Sequence, residues 1–93
     1  MHLIGSYTTK SDRFFFQWAF VEMDDGEVRA YIALSPGYGN RKVDGHSTHR
    51  HFDDDGCPYV CYDPVPDNLD DAIVIAEEWA ERTESYILHN IFF

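Results

Sequence analysis

The sequence predicts an α+β fold, in which an antiparallel sheet of four or five strands packs against one C-terminal amphipathic helix. Three observations predict it. Strand-like runs of aromatic and β-branched residues fill the first two thirds of the chain, the triplet Asp-Asp-Gly separates two pairs of these runs, and apolar residues recur at helical spacing in the last third. Ninety-three residues suffice for one hydrophobic core, so residues 1–93 are expected to form a single domain.

The first hairpin has the strongest local signal. A first strand is predicted over residues 3–9, and it is followed by two strand-like runs, 14–23 and 27–35. These runs flank Asp24-Asp25-Gly26, whose glycine can take the left-handed conformation that a three-residue turn needs.

The register of this hairpin can be derived from the turn. A three-residue loop places Met23 opposite Glu27, and counting outward assigns each side chain to one face of the sheet. One face is coherently apolar and is predicted to be the core: Phe16, Trp18, Phe20, Val28, Ala30, Ile32 and Leu34. The reverse face is more apolar than a solvent face should be, because it carries Phe15, Val21, Met23 and Tyr31. A homodimer joined through this face is therefore one hypothesis.

A loop and a second hairpin follow. Residues 36–45 contain three glycines and a proline, which predicts a flexible loop. Residues 48–53 and 57–62 are expected to pair around Asp54-Asp55-Gly56, so that the chain uses the same turn twice.

The last third predicts one helix of about five turns. The prolines within residues 63–66 block other structure, and Asp67 or Asn68 is placed to cap the helix by accepting bonds from free backbone amides. Trp79 is expected to meet Trp18 and Phe16. We expect the following residues to be buried with them: Leu69, Ile73, Ala76, Ala80 and Ile87. The pattern leaves the conformation of residues 88–93 open, between frayed helix and a short strand.

Charge is distributed unevenly along the chain. The net charge is −10, from 17 Asp and Glu against 7 Lys and Arg. Residues 1–51 hold six residues of each sign, whereas residues 52–93 hold eleven acidic residues and Arg82 alone. Such a directional field can steer a basic partner and repels nucleic-acid phosphates, so no direct contact with nucleic acid is expected.

The outer side of the predicted helix carries most of this charge. An aliphatic residue, Val74, projects from its middle, as expected of a contact surface for a basic protein, although a solvated helix face is the commoner meaning of such a pattern. The predicted partner-binding residues are Asp70, Asp71, Val74, Glu77, Glu78, Glu81 and Glu84 on the helix, with Asp53, Asp54 and Asp55 on the second hairpin. The leading hypothesis is a small, acidic, non-enzymatic protein-binding module. One version is an inhibitor that mimics nucleic-acid charge and competes for a basic groove on a nucleic-acid-binding protein.

A second hypothesis is a zinc site. Three of the five histidines and both cysteines lie within residues 46–61, and these are zinc ligands by type. If the second turn has three residues, His49, His51 and Cys61 share a face; if it has two, the cysteines move to the other face and the site vanishes. Surface histidines and core cysteines explain the same residues without a metal.

Other functional classes have little support in the sequence. No nucleophile elbow, zinc-protease motif or phosphate-binding glycine loop occurs, and Gly37-Tyr38-Gly39 does not open a helix. The chain has too few cysteines for a disulfide framework and lacks the pattern of a signal peptide, so a cytoplasmic location is expected. No apolar run is long enough for a membrane span.

Overall fold

The computed structural model describes residues 2–62 and 64–93 and has one antiparallel sheet with a long C-terminal helix against it. The sheet contains five strands in the order β1-β2-β3-β5-β4, and every neighbouring pair is antiparallel. The predicted α+β architecture is therefore confirmed. The elements are β1 (His2–Thr8), β2 (Phe15–Glu22), β3 (Val28–Leu34), a short helix α1 (Gly45–Thr48), β4 (Arg50–Phe52), β5 (Pro58–Val60) and α2 (Leu69–His89).

The first hairpin has the predicted three-residue turn. The amide of Met23 donates to the carbonyl of Glu27 at 2.8 Å, and Gly26 has a φ of 91°, in the left-handed region that favours glycine. As a result, alternate residues of β2 and β3 form the core. Five of the seven predicted core residues on these strands are at most 1% exposed: Phe16, Trp18, Phe20, Val28 and Ala30.

The other two predicted core residues differ, because the pairing of β2 with β3 contains a bulge. Trp18 lies opposite Ile32, but its neighbour Gln17 lies opposite Leu34, so Ala33 is an extra residue on β3. The extra residue moves Leu34 to the reverse face of the sheet, where it is 48% exposed. The prediction that Leu34 belongs to the core was wrong for this reason, and Ile32, just before the bulge, is half-buried.

Helix α2 begins at the predicted cap. The side chain of Asn68 accepts a bond from the amide of Asp71 at 2.9 Å, and the helix ends where Asn90 turns left-handed, with a φ of 54°. Trp79 packs edge-on against Phe16 at 5.7 Å between ring centroids, as expected. The buried residues of the helix are Ala72, Ala76, Trp79, Ala80, Thr83 and Tyr86.

Some predicted positions of the helix are less covered than expected. Leu69, Ile73 and Ile87 are half-buried, while Tyr86, which the spacing did not select, is 1% exposed. Tyr86 is covered by the loop before α1, since its hydroxyl donates to the carbonyl of Lys42 at 2.8 Å and its ring lies 6.2 Å from that of Tyr38. The loop therefore shifts the buried stripe of the helix toward Tyr86.

The segment between β3 and α1 is irregular, as predicted, but its side chains attach it to the domain. Tyr38 is only 9% exposed. Arg41 donates through Nε to the carbonyls of Tyr86 and Ile87, at 3.1 Å each. These two carbonyls belong to the last turn of α2, where the helix has too few amide donors for its carbonyls, so Arg41 caps the helix from a distant part of the sequence.

Candidate functional site

The outer side of α2 carries an exposed apolar residue among carboxylates. Val74 is 63% exposed, Asp70, Asp71 and Glu78 are exposed, and Glu77 is half-buried. We call the seven predicted helix residues, from Asp70 to Glu84, the acidic helix surface. The prediction that Val74 projects to solvent is therefore correct, and the carboxylates of the first turn also benefit from the helix dipole.

Two carboxylates of the acidic helix surface bind the protein itself. Glu81 accepts bonds from the hydroxyl of Tyr7 and, at 2.9 Å, from the amide of Lys10. Glu84 accepts bonds from the hydroxyls of Thr9 at 2.7 Å and Ser11 at 2.5 Å. These bonds attach α2 to the turn that follows β1. Both residues were predicted from the sequence to bind a partner. Because the groups that bond to them are distant in sequence, no local pattern indicates that they face the edge of the sheet.

These bonds shift the pKa values of Glu84 and Tyr7. Hydrogen bonds from Ser11 and Thr9 lower the pKa of Glu84, so its carboxylate remains charged. The bond to Glu81 raises the pKa of Tyr7 to about 12, because the neighbouring carboxylate opposes a second negative charge. Glu81 and Glu84 therefore contribute negative potential at fixed positions while they hold the helix to the sheet.

The predicted residues of the second hairpin lie away from the acidic helix surface. Their hairpin forms the edge of the sheet opposite to β1, whereas Glu81 and Glu84 contact the end of β1 and the turn that follows it. The carboxylate of Asp53 accepts bonds from the amides of Cys57 at 2.8 Å and Asp55 at 3.0 Å, and the bond from Cys57 is the main cause of its lowered pKa. Asp54 and Asp55 are exposed at the tip. The structure therefore does not combine the two groups of acidic residues into one surface.

A groove that the sequence did not reveal runs beside the acidic helix surface. It lies between α2 and the segment that leads from β5 to the helix, and its volume is about 730 Å³. We call it the α2 groove. Its apolar lining includes Pro64, Val65, Val74, Ile75, Trp79 and Phe93, and among the described residues its acidic lining is Asp67, Asp71 and Glu78.

Two hydrogen bonds hold the floor of the α2 groove in place. The indole of Trp79 donates to the carbonyl of Thr48 at 3.1 Å, and the hydroxyl of Tyr62 donates to the carbonyl of Ala72 at the same distance. Val65 and Val74, which are 51% and 63% exposed, present aliphatic surface to solvent along it. In the sequence, the prolines of this segment indicate only that no strand or helix continues through it. The apolar residues Val65 and Val74 are the sequence feature that could have indicated a groove.

The acidic helix surface borders two depressions. Besides the α2 groove, a depression of about 530 Å³ on the other side of Val74 is lined by Tyr7, Lys10 and Glu77, among others. Val74 lines both. Arg82 also borders both, and its bond of 3.2 Å to Glu78 is highly exposed, so it offsets little of the surrounding negative potential.

The predicted zinc ligands are placed as follows. The second turn has three residues, since the amide of Asp53 donates to the carbonyl of Cys57, and His51 lies opposite Tyr59. The amide of Cys61 also donates to the carbonyl of His49 at 2.9 Å. The register that the zinc hypothesis required is therefore present.

The side chains, however, do not converge. His49 has a left-handed backbone, with a φ of 51°, because it ends α1, and its ring stacks on that of Phe93 at 4.4 Å. The ring of His51 lies 5.5 Å from that of Tyr59. Within residues 2–62 and 64–93, no group of three or more His, Cys, Asp and Glu side chains is positioned to hold a metal ion. His49 instead lines the α2 groove with Phe93, and burial lowers its pKa.

Comparisons with known proteins identify no relative of this chain. Neither the protein-family models, nor the curated proteins, nor the solved structures contain a match to this chain. In the part of the chain that is described, no helix has both the length and the hydropathy needed to cross a bilayer. Any function must therefore be argued from the acidic helix surface and the α2 groove themselves.

Proposed function

We propose that this protein is a small, non-enzymatic binding module that recognises a basic segment of another protein. The acidic helix surface would attract the segment, and the α2 groove would take an apolar side chain from it. The observation that carries the proposal is the exposure of Val74, which is 63% accessible between two depressions and beside carboxylates. Bound in this way, the partner would have Lys or Arg residues on both sides of an apolar anchor.

The apolar part of the contact would supply much of the affinity. Burial of an aliphatic side chain contributes about 1.5–3 kcal/mol. Val65 and Val74 are both more than half exposed and both line the α2 groove, so an incoming apolar side chain would cover two such residues at once. The floor of the groove is fixed by the bonds of Trp79 and Tyr62, which keeps the entropic cost of binding low.

The carboxylates would supply orientation and speed. Glu77, Glu78 and Glu84 each lie three or four positions from Glu81, and like charges at this spacing oppose helix formation by about 0.2–0.5 kcal/mol per pair. A basic partner relieves this repulsion, and complementary potential raises the rate of association. The net charge of −10 adds to the attraction at long range.

The partner class that fits this chemistry best is a nucleic-acid-binding protein, whose binding groove presents Lys and Arg. In this version of the proposal, the module inhibits by competition. The exposed carboxylates of Asp70, Asp71 and Glu78 can occupy places that phosphates otherwise fill. Direct binding of nucleic acid to the acidic helix surface is not expected, because phosphates are repelled there.

The first test uses defined peptides and amide chemical shifts of the labelled protein. We expect a helical peptide of alternating Lys and Leu pairs to shift the amides of α2 and of residues 64–67. A peptide of Lys without Leu should bind more weakly, and one with Glu in place of Lys should not bind. Shifts confined to the tip of the second hairpin, or equal binding of the Glu peptide, would contradict the proposal.

Salt and substitutions sharpen this test. Affinity should fall at least about tenfold between ~0.01 and ~1 M ionic strength, as the Debye length falls from about 30 to 3 Å. Val74→Ser should weaken the Lys and Leu peptide, whereas Val43→Ser, at a residue 57% exposed outside both depressions, is the control. An affinity that does not change with salt would show that electrostatic attraction is not involved.

A natural partner can be sought by affinity capture and mass spectrometry. The charge-reversed variant Glu77→Lys, Glu78→Lys should lose proteins that the unmodified chain captures. Glu22→Lys, Asp24→Lys makes the same charge change at exposed residues of the first hairpin and should retain them. Retention by both variants would exclude the acidic helix surface as the binding site.

A further inference from the structure

The sheet has a second face, which α2 does not cover. By register, the odd-numbered residues of β2 point to this side, together with their partners on β1 and β3. Ile4, Phe15 and Leu34 are 65%, 44% and 48% exposed there. Val21, Tyr31 and Tyr59 lie on the same side and are half-buried. We call this surface the open sheet face.

The open sheet face differs in charge from the rest of the molecule. Among the strand residues that the structure describes on it, there is no Asp or Glu, although the chain contains 17 of these residues. Two carboxylates flank these strands on the same side, those of Glu27, which pairs with Arg29, and of Asp53, which lies beside Tyr31. Arg29 is the cation at these strand positions, and it is already paired with Glu27 at 2.6 Å. Its guanidinium also donates to the hydroxyl of Tyr31 at 3.1 Å and lies 4.3 Å from the centre of the Tyr59 ring.

We infer that the open sheet face joins two copies of this chain into a homodimer. Two molecules that each carry a net charge of −10 repel each other, so they can associate only where carboxylates are kept apart. A two-fold arrangement brings a patch against its own copy, which suits a neutral, apolar surface. The result would be a sandwich of two sheets about 10 Å apart, with a helix layer on each outer side.

The size of the surface agrees with this assignment. With a rise of about 3.3 Å per residue and a spacing of about 4.8 Å, the three long strands and the two short strands together form a plane of roughly 450 Å² before the relief of the side chains is counted. A stable interface covers about 800 Å² of accessible surface on each partner, which is the same order.

A nucleic-acid strand fits the open sheet face less well. Aromatic rings on a sheet can stack with bases, but such sites also need cations for the phosphates. The guanidinium of Arg29 is occupied by Glu27, Tyr31 and Tyr59. A second copy of the chain needs no cation, so it is the occupant that this face favours.

The test is the molar mass in solution, measured by light scattering and sedimentation. Over an about hundredfold range of concentration, mass action should bring the mass to twice the 10.8 kDa of one chain. Ile4→Glu with Leu34→Glu should abolish the dimer without unfolding the chain, since both side chains are largely exposed. Val43→Glu with Ile91→Glu, at residues 57% and 56% exposed elsewhere, adds the same charge and should leave the dimer intact.

Salt provides an independent criterion. Added salt screens the repulsion between two acidic molecules, so it should strengthen the dimer, whereas it weakens binding of a basic partner. The dimer therefore succeeds or fails separately from the proposed function. A mass of one chain at every concentration, a dimer that survives Ile4→Glu with Leu34→Glu, or binding of single-stranded RNA by a monomer through this face would overturn the inference.

Discussion

The two faces of the sheet differ far more in solvent exposure than in the types of residue that form them. Phe15 and Phe16 are neighbours of the same type on β2, yet Phe16 is fully buried beneath α2 and Phe15 is 44% exposed on the open sheet face. Ile4 and Leu34 extend the exposed apolar surface beyond Phe15. The comparison teaches that burial here depends on which layer covers a face and not on the type of residue.

The largest effect is expected from the two phenylalanines. Phe16→Ala should lower the free energy of unfolding by about 3–5 kcal/mol, because Phe16 packs against Trp18 and Trp79 and a cavity would remain. Phe15→Ala should change it by less than about 1 kcal/mol, because exposed substitutions rarely do more. Urea denaturation at low protein concentration, where the chain is monomeric, measures both. Equal effects would show that the two faces are equally covered.

A smaller effect is expected where β1 approaches the covered face. Gly5 lies opposite Trp18, and an added Cβ would come within 2.7 Å of the Phe20 ring. Gly5→Ala should therefore destabilise by about 1–3 kcal/mol through overpacking. Gly37→Ala is the control, since no atom lies within 4 Å of a Cβ at that position. Thermal unfolding of both variants tests the difference, and a neutral Gly5→Ala would mean that Phe20 can move aside.

The smallest effect concerns the attachment of α2 to the turn after β1. Glu84→Gln should lower the stability at neutral pH by about 1 kcal/mol, since hydrogen bonds to a partly exposed charged group contribute modestly. The pKa of Glu84 is lowered from 4.5 in the folded state, so the stabilisation is complete above that value and disappears as the pH falls through the folded pKa. The difference between the variant and the unmodified chain should therefore shrink in acid. Denaturation at pH values on both sides of this range measures it.

Glu22→Gln provides the control for this experiment. Glu22 is exposed at the end of β2, and its substitution should leave the stability nearly unchanged at every pH. If Glu84→Gln behaves in the same way, its bonds to Thr9 and Ser11 do not contribute to the attachment of the helix.

Local rules were sufficient to predict much of the fold. The turn at Gly26 depends on residues that are close in sequence, so its length was predicted, whereas the sequence left the cap open between Asp67 and Asn68 and the second turn open between two and three residues. Leu34 was assigned to the wrong face because the bulge at Ala33 has no glycine or proline to indicate it. A single extra residue reverses every side chain beyond it.

The candidate site was predictable only in part. The exposure of Val74 follows from helical periodicity, whereas the bonds of Glu81 and Glu84 join residues more than 70 positions apart, which no local pattern encodes. The α2 groove likewise depends on how Val65 and Phe93 come to lie beside Trp79. Its position is a property of the packed chain, so sequence periodicity alone could not reveal it.

The cap that Arg41 provides also fixes where residues 91–93 leave the helix. Arg41 holds the carbonyls of Tyr86 and Ile87, and the chain turns away from the helix just afterwards, at Asn90. The residues beyond that point fold back on the helix, since the amide of Ile91 donates to the carbonyl of Ser85 at 3.4 Å and the ring of Phe92 lies 5.7 Å from that of Tyr86. Phe93 is thereby placed against His49, so that residues 91–93 close one end of the α2 groove.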